Sequence, residues 1–180
     1  MCYESLNKQK VWLFLGVLCV CGMLAPKVTI ADSPVIAGTY ILDKEASDDF
    51  TEAFEEELQE MGRIRRTIAR HMISRRGGHA EQIRIDIDEE KIVFHSNDRD
   101  PIVFPKDGSE ITHINDNGDE MKARAELEGN LLRIRMNGED SSTVTEYKLN
   151  STGDKLNVDR KLTSDRLTNP VEFQVVYHRE

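Results

Sequence analysis

Short runs in which apolar and polar residues alternate, joined by connections of mostly two to six residues, constrain this chain more than any other feature. Successive side chains of a strand point to opposite faces, so a period of two marks a strand with one buried face. Residues 82–88 set Ile83, Ile85 and Ile87 on one side. Residues 119–128 set Met121, Ala123, Ala125 and Leu127 against Lys122, Arg124, Glu126 and Glu128. Residues 131–137 set Leu132, Ile134 and Met136 against Arg133 and Arg135. Further strands are expected at 91–96, 101–104, 110–115, 142–150, 155–163 and 171–179, and residues 35–43 supply the first of the ten. Glu128-Gly129-Asn130 is a tight-turn signal. Connections this short force antiparallel neighbours. Ten such strands form a sandwich or a barrel; closure removes exposed edges, and sequential hairpins favour an up-and-down barrel. The expected class is therefore all-β with a helical insertion. Tyr40, Ile85, Ala123, Ala125, Ile134, Tyr147, Val158 and Tyr177 should line its inside.

The insertion covers residues 46–76, between the first and second strands. There Phe50, Phe54, Leu58, Met61, Ile64, Ile68 and Met72 recur at three and four, the pattern of an amphipathic helix. Ser47 suits an N-cap, Gly77-Gly78 ends the segment, and Gly62 permits a break. One long helix and two short ones fit equally. Its charge is split: seven acids and no base lie in 47–60, and six arginines and no acid in 63–76. Attraction along one helix or across a helical hairpin accounts for this. The sharper reading is peripheral contact with an anionic membrane through Arg63, Arg66 and Arg70.

Residues 1–31 read as a secretory signal peptide. Lys8 and Lys10 precede an apolar stretch at 11–24, and Thr29-Ile30-Ala31 ends in a small residue. That stretch is shorter than the ~20 residues of a spanning helix. Lipoprotein processing at Cys19 or Cys21 is the alternative, but Leu18 and Val20 stand where such signals carry a small residue. Cleavage before Asp32 leaves one domain, 32–180, of 149 residues. All three cysteines leave with the signal, so the mature domain must rest on core burial, not a disulfide. The whole chain carries a net charge of −9; the signal holds three lysines against one glutamate, which puts the mature domain at −11. Such a balance argues against nucleic acid as a partner. The expected location is periplasmic or secreted, and the expected state a monomer.

The order of elements resembles the calycin superfamily, and fatty-acid-binding proteins and lipocalin-like barrels within it, in an exported bacterial form. Gly38-Thr39-Tyr40-Ile41-Leu42 resembles the opening Gly-x-Trp strand, and Asp49-Phe50 the acidic-aromatic start of the first helix. Leu127-Glu128-Gly129-Asn130-Leu131 resembles the late turn. Thr145-Glu146-Tyr147-Lys148-Leu149 with Gly153-Asp154-Lys155-Leu156, and Val175-Val176-Tyr177-His178-Arg179, resemble the final strands. The resemblance implies ten strands, a helical hairpin after the first, and a small hydrophobic or amphipathic ligand inside. The family's carboxylate anchor uses two interior arginines and a tyrosine. Here those arginine positions hold Tyr147 and Val175, and Tyr177 alone matches.

Among the residues themselves, Arg160 stands out. It shares a strand face with Leu156, Val158 and Leu162, which points its charge inward. An inward guanidinium needs a partner or water, so it is a candidate anchor for an acidic or polar head. Tyr40, Tyr147 and Tyr177 join it as candidate ligand-binding residues, each with an apolar ring and a hydroxyl. The five histidines lack metal-ligand spacing, and the mature chain holds no Gly-x-Ser-x-Gly, phosphate loop or cysteine nucleophile. No cofactor, metal or enzymatic activity is expected. The expected function is binding of a small hydrophobic or amphipathic ligand in the barrel. The alternative is a filled barrel that acts as an interaction protein through its basic helix. N-terminal sequencing of the exported protein should find Asp32 first; a lipid-bearing Cys19 or Cys21 would instead establish lipoprotein processing.

Overall fold

The computed structural model describes residues 35–60, 63, 66, 67, 70, 78–97, 99–115 and 118–180. The signal segment, its cleavage position, Met61, Ile64, Ile68 and Met72 lie outside the described residues. Ten strands form one antiparallel sheet: β1 (Gly38–Asp43), β2 (Gln82–Ile87), β3 (Lys91–Ser96), β4 (Ile102–Pro105), β5 (Ile111–Ile114), β6 (Glu120–Glu128), β7 (Leu131–Asn137), β8 (Ser141–Leu149), β9 (Lys155–Ser164) and β10 (Val171–Arg179). The helix α1 (Phe50–Glu60) follows β1. The order is β4-β3-β2-β1-β10-β9-β8-β7-β6-β5. Because β1 pairs with β2 on one side and β10 on the other, the up-and-down sheet curls into a barrel, nearly closed. The remaining seam lies between β4 and β5. Pro101 and Pro105 flank or end β4 there, which blunts the open edge.

Alternation drives the packing. Every residue expected on the inner face is buried, from Tyr40, Ile85 and Ala125 at 0% exposure to Tyr177 at 5%. Fully burying one large aliphatic or aromatic side chain contributes about 1.5–3 kcal/mol, so this inner row is the main stabilising force. One break in the pattern has a clear cause. Val175, Val176 and Tyr177 are all buried, although neighbours on a strand face opposite ways. The chain leaving β1 covers the outer side: Ser47 Oγ accepts from Val176 N at 2.9 Å, and Asp48 N donates to the Gln174 carbonyl at 2.9 Å.

The helical segment differs from expectation at its start. Ser47 does not cap it; its hydroxyl instead donates to the Asp43 carbonyl at 2.6 Å and is tied to β10. Asp49 takes the role, its Oδ1 accepting from Thr51 N (2.7 Å) and Glu52 N (2.9 Å). Of the two helix arrangements, the single long helix is excluded. Residues 63, 66, 67 and 70 have helical backbone, and Arg70 bonds to Glu55. In a single helix these residues would stand about 22 Å apart, so the chain must double back between them. The split of acids and arginines thus works across the hairpin.

β1 starts at Gly38, three residues later than the alternation suggested, because the residues before it serve another bond. Arg179, at the end of β10, donates through NH2 to the Val35 carbonyl (2.6 Å) and the Ala37 carbonyl (2.5 Å), and through NH1 to the Gly153 carbonyl (3.1 Å). Its guanidinium lies 5.4 Å from the Tyr40 ring centre, and Tyr40 donates to the Ile36 carbonyl at 2.6 Å. Gly38 has φ +155°, and a Cβ there would stand 3.0 Å from Arg179 Nε. These residues plug one end of the barrel. Arg179→Leu strands three carbonyls and should cost about 2–3 kcal/mol. Urea denaturation should show this as a lower midpoint at unchanged slope.

Candidate functional site

The opposite end of the barrel holds the cavity. Phe173 and Arg179 are six residues apart on β10, so the two ends stand about 20 Å apart. The cavity encloses about 80 Å³. Its walls come from β2 (Ile83), β3 (Phe94, Ser96), β8 (Tyr147), β9 (Val158, Arg160) and β10 (Val175, Tyr177); Gly78, His79, Ala80, Asn97 and Arg99 form the rim. A second cleft of about 390 Å³, lined by residues 47–51 among others, shares Gly78 and His79 with it.

Arg160 is turned inward, as its strand period requires, and half-buried. Its Nε donates to Thr145 Oγ1 at 3.2 Å, and its charge lies 5.8 Å from the Phe173 ring centre. No carboxylate lies within ion-pair distance of it among the described residues. It stands at the rim, where the cavity meets an open recess of about 630 Å³ on the outer wall of β7–β10.

Tyr147 and Tyr177 lie beside it. Burial pushes the Tyr147 phenol above its usual pKa, with Arg160 pulling the other way through charge and a hydrogen bond. Burial likewise raises Tyr177 strongly, helped by Tyr147 and opposed by Arg160. Both phenols therefore stay protonated and can donate, so one cation and two neutral donors converge on the same space.

Three of the four expected site residues thus meet at the cavity. Tyr40 does not: it does not line the cavity, its hydroxyl is committed to Ile36, and Arg179 covers its ring at the plugged end. Its inward direction was legible, but alternation says nothing about height along the barrel. Thr145 was missed although it shares the inner face with Tyr147, the same signal that exposed Arg160. Phe94 was missed for the same reason.

Aromatic rings pack between α1 and β10 beside the cavity rim at His79. Phe50 of α1 meets Phe173 edge-on at 5.3 Å and Phe54 at 4.9 Å; His79 stands 5.6 Å from Phe173. Phe54 and Leu58 are buried in the barrel core, as the helical period required. Glu57, also buried, fastens α1 to the β9–β10 turn. Its carboxylate accepts from Asn169 Nδ2 (2.8 Å), Asn169 N (3.1 Å) and Thr168 N (3.0 Å). Nothing in the sequence marked this residue, one of seven acids in its stretch.

No family model matches the chain, and no curated protein matches it. Its fold does match solved barrels. A secretory abundant heat soluble protein from Ramazzottius varieornatus is 16% identical over 80% of this chain and 94% of that one, with a TM-score of 0.56. Lipid binding protein 8 of Caenorhabditis elegans is 16% identical over 80% and 94%, at 0.53. A fatty acid-binding protein from Drosophila melanogaster brain is 21% identical over 81% and 99%, at 0.50. The chain therefore has the same ten-stranded barrel fold as these solved proteins.

The Asn169 side chain, with the backbone amides of Asn169 and Thr168, holds the Glu57 carboxyl below the usual carboxylate range. A lowered folded-state pKa gives stability that is complete above the ordinary value of 4.5 and lost as pH falls through the lowered one. Glu57→Gln should therefore unfold earlier than the native protein at pH 7. The difference between the two, followed by thermal melts, should shrink below pH 4.5.

Proposed function

We propose that this chain is an exported binding barrel for a small amphiphile with an anionic head. One observation carries the reading. Arg160 faces the barrel interior with no carboxylate within ion-pair distance among the described residues, flanked by two phenols that remain proton donors. An unpaired, half-desolvated guanidinium is costly, and an anionic ligand would supply the missing partner. The apolar walls of Ile83, Phe94, Val158 and Val175 would take the tail. That solved barrels of the same fold carry lipid-binding and fatty-acid-binding names supports the same reading. Arg160, Tyr147 and Tyr177 bind the ligand; Tyr40 belongs to the plug. The signal read in residues 1–31 supports export of the mature chain, from Asp32, to the periplasm or outside the cell, and the reading takes it as a monomer.

A second reading has its own support. The cavity is small against the ~300–1,000 Å³ of ordinary ligand pockets, and one barrel of the same fold is named for secretion and heat solubility. A filled barrel would act through its surface, through either the hairpin or a membrane contact. The hairpin arginines fit this less well, since Arg70 is bound to Glu55 and Arg66 to the Gln59 carbonyl.

Calorimetry with hexanoate and hexanol separates the two readings. Arg160→Leu should weaken hexanoate tenfold to about a hundredfold, from the roughly 1.5–3 kcal/mol of a charge-assisted hydrogen bond, and leave hexanol unchanged. Equal loss for both would remove Arg160 from the site. No binding of either by the native protein would favour the filled barrel.

A further inference from the structure

We infer that Phe94 and Tyr147 form an internal floor that limits the ligand to a short chain. The inference rests on the cavity being the anion site proposed above. In the ring of ten strands, β3 and β8 stand five places apart, so they face each other across the barrel. Phe94 of β3 and Tyr147 of β8 nevertheless touch, with ring centres 5.1 Å apart and planes tilted by 53°. Two rings that meet from opposite walls span the lumen at that height.

The two sides of this contact differ. Two residues further along each strand toward the plug, Ile92 and Leu149 are fully buried, as is Leu156, the register partner of Leu149. Two residues the other way stand Ser96 and Thr145, where the cavity and Arg160 lie. The open half holds about 80 Å³, room for about six waters at ~10–15 Å³ each. A carboxylate at Arg160 would sit at the rim, and its tail would reach the Phe94 ring within a few methylenes. A six-carbon tail fits above the floor. A twelve-carbon tail would have to displace the ring pair or stay in water.

Three neighbours fix the position of the floor. Phe94 is opposed by Ile85 on β2 and Ile102 on β4, and Tyr147 by Val158 on β9. The stiff, β-branched side chains among them leave the rings little room to turn aside. Length selection therefore follows from the wall, and the head-group preference from Arg160.

Titration of the purified protein with hexanoate and with dodecanoate below its micellar range, followed by amide NMR shifts and calorimetry, tests this. The native protein should bind hexanoate at least tenfold more tightly than dodecanoate. Phe94→Ala should raise the affinity for dodecanoate relative to hexanoate at least tenfold, so that the length preference is lost or reversed. Should that variant unfold, Phe94→Leu lowers the floor less and should still raise dodecanoate relative to hexanoate at least threefold. Tighter binding of dodecanoate by the native protein, with the Arg160 dependence kept, would overturn the floor and leave the anion site standing. An unchanged length preference in both folded Phe94 variants would overturn the floor in the same way. Failure of both acids to bind would sink the anion site itself and the floor with it.

Discussion

The barrel depends on a six-residue strand that has to pair on both sides. β1 gives one edge to β2 and the other to β10, and without it the sheet would open into a long ribbon with a half-buried face. So short a strand has few backbone bonds to hold its register. Arg179 supplies the rest: it reaches from the end of β10 to the carbonyls just before β1 and lies over Tyr40. The arginine joins the first and last strands at the place where closure is least secured by the sheet. Gly38 is needed there because a side chain would occupy the space of the guanidinium.

Fixing one end leaves the other end to differ. The plugged half is filled, and its cation and phenol are bonded to backbone carbonyls, whereas the other half contains a cation, a hydroxyl and two phenols around a cavity. Burying such groups without partners is unfavourable, and the structure meets only part of their demand. Arg160 has Thr145 for one of its five donors, a hydrogen bond with Tyr147 and an aromatic ring on one face, but no carboxylate within ion-pair distance among the described residues. A chain selected only for stability would have little reason to keep an arginine among Val158, Val175 and Phe173. That imbalance, more than the shape of the cavity, is what supports the proposal of a binding site over a core defect.

Much of this was legible from alternation, because a barrel converts a period of two directly into inside and outside. The ten strands, the inner row and the inward turn of Arg160 all follow from it, and β3, β7 and β10 begin and end at the residues expected. What alternation lacks is a coordinate along the barrel axis. It put Tyr40, Tyr147 and Tyr177 on one face but could not tell that Tyr40 belongs to the plug. The same gap hid the floor, since Phe94 and Tyr147 meet through strands more than fifty residues apart in sequence. The hairpin was half-legible. Its charge split fitted two arrangements, and only the pairing of Arg70 with Glu55 decides between them. Ser47 and Asp49 both had the chemistry of an N-cap; the bond from Ser47 to β10 removed it from that role.

The anchor and the aromatic cluster share a residue. Phe173 is the register partner of Arg160 on the neighbouring strand, carries its guanidinium on one ring, and meets Phe50 of α1 edge-on. His79, at the exit of the hairpin, contacts both Phe50 and Phe173 and donates from Nε2 to the Asp48 carbonyl. Movement of α1 would therefore alter the surroundings of Arg160 before any ligand reached it. Glu57 opposes such movement from the other end of the helix, through three hydrogen bonds to the β9–β10 turn. That turn is the continuation of the strands that carry Arg160 and Phe173. Aromatic cluster, latch and anchor thus lie on one hairpin, β9–β10, with α1 packed across it. A ligand that pairs with Arg160 would act on the same elements that hold α1 in place.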